Sequence, residues 1–161
     1  MVSYFRLKTP LGPMTLIEED GCLTGSFFGL RACSGNFVQT AILAQASQEL
    51  WAYFQGEQQT FSLPMRTSGT PFQEAVWKAV GQIPYGATAT YQQIANKVGC
   101  PRGCRAVGMA VHRNPLAIFL PCHRVVGKDG RLTGYAGGLA RKEQLLSLEQ
   151  SQSTKGGTHY V

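Results

Sequence analysis

Apolar and polar residues alternate through the first part of the chain and then give way to a helical period. Tyr4–Lys8 and Met14–Glu18 alternate on either side of Thr9-Pro10-Leu11-Gly12-Pro13, a turn signal, so two strands are predicted there. Cys22–Phe28, entered through Asp20-Gly21, reads as a third strand. From Asn36 to about Phe54 the spacing becomes helical. Ile42, Ala46, Leu50 and Phe54, with Val38 and Trp51, share one face, and Gly56 ends the run. Thr60–Pro64 reads as a short edge strand.

A linker around Met65–Gly69 separates this part from a second one that is mainly helical. Thr70-Pro71 followed by Gln73 is a helix start: Thr70 can cap, Pro71 suits the first helical position, and Gln73 can complete a capping box. That helix runs to about Gln82, with Phe72, Val76 and Val80 inward, and stops at Pro84-Tyr85-Gly86. The same device recurs at Thr90-Tyr91-Gln92-Gln93 and opens a helix through Val98, with Gly99 as its stop and Pro101 barring its return. Another helix, Arg102 to about His112, follows at once. Its inward residues are Cys104, Val107, Gly108 and Val111, with Gly108 allowing close approach of the two helices, while Arg102, Arg105 and Arg113 face out. Two short helices joined by a Gly-containing turn fit a helix-turn-helix, and equally any tight helical hairpin. Ala117–Leu120 reads as a buried strand that delivers Pro121-Cys122-His123-Arg124. A turn at Gly127-Lys128-Asp129-Gly130, a flexible Tyr135-Ala136-Gly137-Gly138 loop and a last helix over Leu139–Glu149 follow.

The expected fold is therefore α/β. Residues 1–66 form a small antiparallel sheet-plus-helix domain, residues 70–149 a mainly helical domain with a winged helix-turn-helix, and residues 150–161 a disordered polar tail.

Composition narrows the function. The chain has 161 residues, 43% of them hydrophobic, which is material for a real core. No apolar run approaches the roughly 20 residues of a membrane span. Met1-Val2-Ser3-Tyr4-Phe5-Arg6 lacks the features of a secretory signal, so a soluble protein of the cell interior is expected. Five cysteines, an odd number, read as free thiols in that setting. Cys100 and Cys104 invite a zinc reading, but no second pair follows at structural-zinc spacing, although Cys122-His123 lies nearby; no metal is expected. The net charge of +6 is unevenly placed. Residues 1–66 hold four basic and five acidic side chains, and the remainder hold eleven and four, a net of +7. A polyanion partner for the C-terminal part, or merely a basic solvated surface, would account for it.

Cys122 is the candidate for chemistry. A free thiol, with a pKa of about 8.5, is only a few per cent thiolate at neutral pH. The adjacent His123 as base, or Arg124 as a nearby charge, could raise that fraction. A buried structural thiol fits the dipeptide as well.

The wider string decides between them. Leu120-Pro121-Cys122-His123-Arg124-Val125-Val126-Gly127 resembles the active-site signature of the O6-alkylguanine-DNA alkyltransferases, also called methylated-DNA–protein-cysteine methyltransferases. Pro84-Tyr85-Gly86, Thr90-Tyr91-Gln92-Gln93-Ile94-Ala95, Arg105-Ala106-Val107-Gly108, Arg113-Asn114-Pro115, Tyr135-Ala136-Gly137-Gly138-Leu139 and Lys142-Glu143 resemble further landmarks in family order, from about Pro71 to Glu149. The resemblance implies DNA repair by direct reversal: O6-alkylguanine is flipped out of duplex DNA and its alkyl group passes irreversibly to Cys122, once per protein molecule. It implies that His123 takes the thiol proton through a water, that Glu149 orients His123, and that Asn114 helps hold this network. Tyr91 then resembles the donor to the departing guanine. By the same resemblance Tyr135, Val111 and Ala136 are expected to line the pocket, Val125 and Cys122 to offer carbonyls to the guanine amine, and Lys142 to support the tyrosines. Arg105 is similar to the family's arginine finger, which fills the gap left by the extruded base. The helix opening through Gly103, Cys104 and Ala106 suits the minor groove, with Thr90, Tyr91, Arg102 and Arg113 at the DNA.

The resemblance also implies a monomer that needs no cofactor and is cytoplasmic, with the nucleoid as its site of action, or nuclear in a eukaryote. Two departures stand out. Ala136 occupies a position where some relatives carry Ser, and the N-terminal part, with Cys22 and Cys33 but no His, does not reproduce the zinc site of some relatives. No regulatory domain is expected ahead of the first strand. The competing readings are a non-catalytic binder of alkylated DNA, in which the acceptor Cys is commonly replaced by Trp, and a helix-turn-helix regulator with Cys122 as a redox sensor.

Overall fold

The alternating N-terminal segments form an antiparallel meander in the computed structural model, which describes residues 1–156. Strands β1 (Val2–Thr9), β2 (Gly12–Glu19) and β3 (Cys22–Phe28) are joined by tight hairpins. Asp20 and Gly21 both take positive φ, 52° and 79°, which gives the two-residue turn whose twist matches the strands it joins. A fourth strand, β4 (Asn36–Phe37), pairs parallel to β1, so the sheet order is β3-β2-β1-β4.

Helix α1 (Ala41–Phe54) then packs on this sheet. It starts later than its apolar pattern predicts, because Thr40 caps it by accepting from Leu43 N, and Asn36–Phe37 go to the sheet instead. The buried face is Leu43, Ala46, Leu50 and Tyr53. Val38 and Trp51, expected on that face, are exposed. Thr60–Pro64 forms no strand; the neighbouring Met65 makes a single parallel bridge to Leu23. Buried Glu49 organises the segment after α1 by accepting from Gln58 Nε2 and Ser62 N, both at 2.8 Å.

The chain divides into two compact units. The first is Met1–Thr67 together with Pro115–Phe119. That second piece is buried but is not the strand that its apolar run predicts. Ser26 N donates to Pro115 O, Ala117 N to Ser26 O, and Ser26 Oγ to Ala117 O. Ile118 then turns at φ 73°, so the segment makes isolated bridges, Leu116 to Ser26 among them, and no strand.

The second unit, Ser68–Asn114 with Leu120 onward, contains helices α2 (Pro71–Gly81), α3 (Tyr91–Lys97), α4 (Cys104–His112) and α5 (Leu139–Gly156). A two-residue parallel pair, β5 (Ala89–Thr90) with β6 (Val125–Val126), lies among them. Both expected capping boxes form: Thr70 and Thr90 each accept from the N–H of the glutamine three residues on and have their own N–H bonded by that glutamine's side chain. Helix α4 begins at Cys104 rather than Arg102, with Gly103 as its N-cap. The nearest neighbours a Cβ at Gly108 would meet are Tyr91 ring atoms at 3.9 and 4.0 Å, ordinary contact distances, so helix packing does not demand glycine there. Val76, Val80, Ile94, Val107, Val111 and Cys122 share one core, and Trp77 ties α2 to α4 through its Nε1–H to Ala110 O at 2.9 Å.

Helix α5 continues past the expected end at Glu149 to Gly156, since Gln150–Lys155 contain no breaker and Gly156-Gly157 is the first. The expected tail beyond Gly156 falls outside the described residues. No helix among the described residues is long and apolar enough to cross a membrane.

Candidate active site

Cys122 opens a single 3-10 turn, Cys122–Arg124, all three residues of which are buried. Asn114 sits just beyond α4, and its Nδ2 donates to Leu120 O at 2.9 Å. The end of α4 is thereby tied to the segment that leads into the turn. The thiol is fully buried in the second unit's core, which also holds Val111 and Val125 and against which Tyr91 and Tyr135 pack.

Behind it lies a buried polar cluster. His123 Nε2 is 2.6 Å from Glu149 Oε2, and both side chains are fully buried. Arg124 grips the same carboxylate, with Nε to Oε1 at 2.7 Å and Nη2 to Oε2 at 3.1 Å. The remaining donors reach the turn after α2: Arg124 Nη1 donates to Ile83 O at 2.7 Å, and Gly86 N donates to Glu149 Oε1 at 3.4 Å. Gly86 has φ 80°, a conformation open to glycine without the penalty a Cβ would carry, and this aims its N–H at the carboxylate. The Ile83-Pro84-Tyr85-Gly86 turn is therefore part of the cluster.

Protonation states follow from these partners. Burial alone would raise the Glu149 carboxyl, but the bonds and charges of His123 and Arg124 outweigh it and hold it at about 2. An ionised carboxylate only accepts, so Nε2 of His123 carries the proton and Nδ1 is the lone-pair nitrogen. That Nδ1 is buried with no hydrogen-bond partner among the described residues. Burial lowers the His123 pKa, against the pull of Glu149, so the ring is neutral. Burial pushes the Cys122 thiol well above its ordinary value, opposed in part by the charge of Lys142. The resting site is thus a neutral thiol with a neutral imidazole next to it in the turn.

The sequence points to Arg124 as a charge near Cys122; the structure gives that charge to Lys142, while Arg124 is committed to Glu149. Lys142 is itself fully buried, and burial brings its pKa down to about 8. Its Nζ donates to Thr133 O at 3.0 Å and lies 5.9 Å from the Tyr91 ring centroid. Burial raises the Tyr135 pKa.

Beside α4 a surface cavity of about 640 Å³ is lined by Tyr91, Cys104, Arg105, Met109, Thr133 and their neighbours. Arg102, Arg105, Ala106 and Arg113 are exposed, and Gly103 and Cys104 partly so. Cys104 Sγ donates to Gln92 Oε1 at 3.0 Å, and the Thr90 hydroxyl is occupied as the α3 cap. Ala136 is exposed. The structure thus gathers Cys122, His123 and Glu149 with the core residues Val111, Val125 and Lys142, and sets the arginines on the surface. Sequence reasoning missed the Arg124 clamp and Thr133. An arginine directly after the Cys-His pair, at the end of an apolar run, was the available signal for the first; nothing in the sequence marks the second.

Two family models account for nearly all of the described chain: 6-O-methylguanine DNA methyltransferase, ribonuclease-like domain, over residues 2–67, and 6-O-methylguanine DNA methyltransferase, DNA binding domain, over residues 71–151. A methylated-DNA–protein-cysteine methyltransferase of Methanosarcina barkeri is 55% identical, over 92% of this chain and 97% of its own length. The constitutive methylated-DNA–protein-cysteine methyltransferase of Bacillus subtilis is 44% identical, over 91% and 94%. The crystal structure of Mycobacterium tuberculosis OGT in complex with DNA superposes with a TM-score of 0.87 at 42% identity, covering 93% of this chain and 94% of that one.

Proposed function

This chain belongs to the 6-O-methylguanine DNA methyltransferase family and is a DNA repair protein acting by direct reversal, a methylated-DNA–protein-cysteine methyltransferase that binds DNA; we propose that Cys122 is its acceptor cysteine and that O6-alkylguanine, flipped out of the duplex, is its substrate. The observation that carries this reading is the fully buried thiol followed by a histidine whose Nε2 is held by an ionised carboxylate and whose Nδ1 is unpartnered. The unpartnered Nδ1 is the base. It takes the thiol proton through one water, and Sγ attacks the alkyl carbon in line as the carbon–O6 bond breaks. Glu149 fixes the tautomer that makes Nδ1 the acceptor and stabilises the imidazolium that forms. Lys142 favours the transient thiolate. Tyr91 donates to the departing guanine, which leaves more readily when its developing charge is bound. Tyr135, Val111 and the edge near Ala136 enclose the base, with the Val125 and Cys122 carbonyls accepting from its amine.

On the same reading α3, the turn after it and α4 are a winged helix-turn-helix that enters the minor groove through Gly103, Cys104 and Ala106. Thr90, Arg102 and Arg113 contact the backbone, and Arg105 fills the space of the extruded nucleotide. The protein works as a monomer, once per molecule, since a thioether offers no route back to thiol.

Mass spectrometry after mixing the protein with duplex DNA carrying one O6-methylguanine tests this. One added methyl on the peptide holding Cys122 is expected, and Cys122→Ala should bind the lesion without gaining mass. A methyl elsewhere, or tight lesion binding by the wild type with no mass change, refutes the assignment.

A further inference from the structure

The Tyr91 hydroxyl is held by a neighbour that no motif marks. Thr133 Oγ donates to the Tyr91 oxygen at 3.0 Å, and both residues line the cavity beside α4. The Thr133 backbone is fixed in turn by the bond from buried Lys142 Nζ to its carbonyl. Its methyl faces Gly127: a Cβ placed there would come within 3.1 Å of Thr133 Cγ2, so the methyl takes the space that glycine leaves open. A β-branched side chain whose methyl is seated has one χ1 left, and that χ1 aims the hydroxyl at Tyr91. Lys142, Thr133 and Tyr91 form a chain of donors that ends in the cavity.

We propose that Thr133 is a positioning residue for alkyl transfer, acting through Tyr91; this rests on the reading of Tyr91 as donor to the departing guanine. Two facing hydroxyls share one hydrogen between them. When Thr133 supplies it, the Tyr91 hydrogen is released from that pair and turns toward the base. Accepting a bond also polarises the phenol, so its own donation strengthens. In the transfer the Sγ–carbon bond forms while the carbon–O6 bond breaks, and the bonding pair leaves with guanine. The proton taken from the thiol is the one the product guanine finally carries. Tyr91 lowers the charge on guanine while that pair arrives, and Thr133 keeps Tyr91 pointed to do so.

The test is the rate of alkyl transfer from a series of free O6-benzylated guanines whose ring substituents make guanine a progressively better leaving group. Thr133→Val removes the hydroxyl and keeps the shape. It should slow the poorest leaving group about fivefold to tenfold, as loss of one oriented hydrogen bond would, and the best hardly at all. The dependence on leaving group then steepens, and Thr133→Ser should return it toward wild type. Tyr91→Phe should steepen it further. If Thr133→Val lowers every rate by the same factor, or none, while Tyr91→Phe steepens the series, Thr133 does not position Tyr91 and the proposal falls alone. If Tyr91→Phe leaves the series unchanged too, the role of Tyr91 itself is wrong and both fall.

Discussion

Replacing Glu149 by Gln keeps the side chain's shape and removes one acceptor and the charge. In the native cluster Oε1 accepts from Arg124 Nε and Gly86 N, and Oε2 from Arg124 Nη2 and His123 Nε2. An amide with its NH2 in the Oε1 place faces two donors, neither of which can yield. In the other orientation it faces Arg124 and His123, and only the histidine can adapt, by moving its proton to Nδ1. The less costly arrangement therefore blocks the proposed base. Arg124, 6% exposed, also loses its counter-charge. Breaking a buried pair in this way costs about 3–5 kcal/mol, and loss of an oriented base slows transfer by about 10²–10⁴. Urea denaturation reads the first effect. Single-turnover transfer from free O6-benzylguanine reads the second without involving DNA binding. The double variant Arg124→Met with Glu149→Gln should regain most of the stability and stay slow. A folded Glu149→Gln protein that transfers within about threefold of wild type would refute the assignment of Nδ1 as base. A double variant that recovers rate along with stability would refute it as well.

Two other perturbations follow, one from the proposed role of Arg105 and one from the Glu149 cluster. Arg105→Ala should slow repair of duplex DNA by about tenfold or more, because in its proposed role the side chain offsets part of the few kcal/mol that extrusion costs, yet barely change transfer from the free base; equal losses on both substrates would remove the finger role. Folded Glu149 stays ionised down to about 2, below the 4.5 of an unfolded glutamate, so the unfolded chain binds more protons in that interval. Stability from this group is complete above about pH 4.5 and falls as pH drops toward 2, by on the order of 3 kcal/mol. Urea midpoints between pH 5 and pH 2 (about that range suffices) should show this slope in the wild type and lose it in the double variant.

What the sequence made legible was the chemistry that operates within four residues. Both capping boxes formed because cap and partner lie in one turn of chain, and the Asp20-Gly21 hairpin because its dihedrals are written in its two residues. Period alone misled where partners are distant. Trp51 fits an apolar stripe yet stands exposed, and Asn36–Phe37 left the predicted helix for a strand that β1, far earlier in the chain, had to supply. Cys122 and His123, the proposed nucleophile and base, were readable from a resemblance. The reason that Glu149 can serve His123 was not, since Arg124 and Gly86 converge on it, and the Ile83 carbonyl on Arg124, only in three dimensions.

Residues Pro115–Phe119 belong to the first compact unit although the chain on both sides of them belongs to the second. The two units are therefore not beads on a string that one cut can part. A fragment beginning at Ser68 would carry Leu116, Ile118 and Phe119, at most 5% exposed in the intact chain, with no Ser26 to pair beside them. A fragment ending at Thr67 would leave the Ser26 end of the β3 edge uncovered, open to pairing with other chains. Anyone grafting this repair unit onto another scaffold should swap residues 115–119 for a short polar connector between Asn114 and Leu120, and so spare the active-site turn that begins at Cys122.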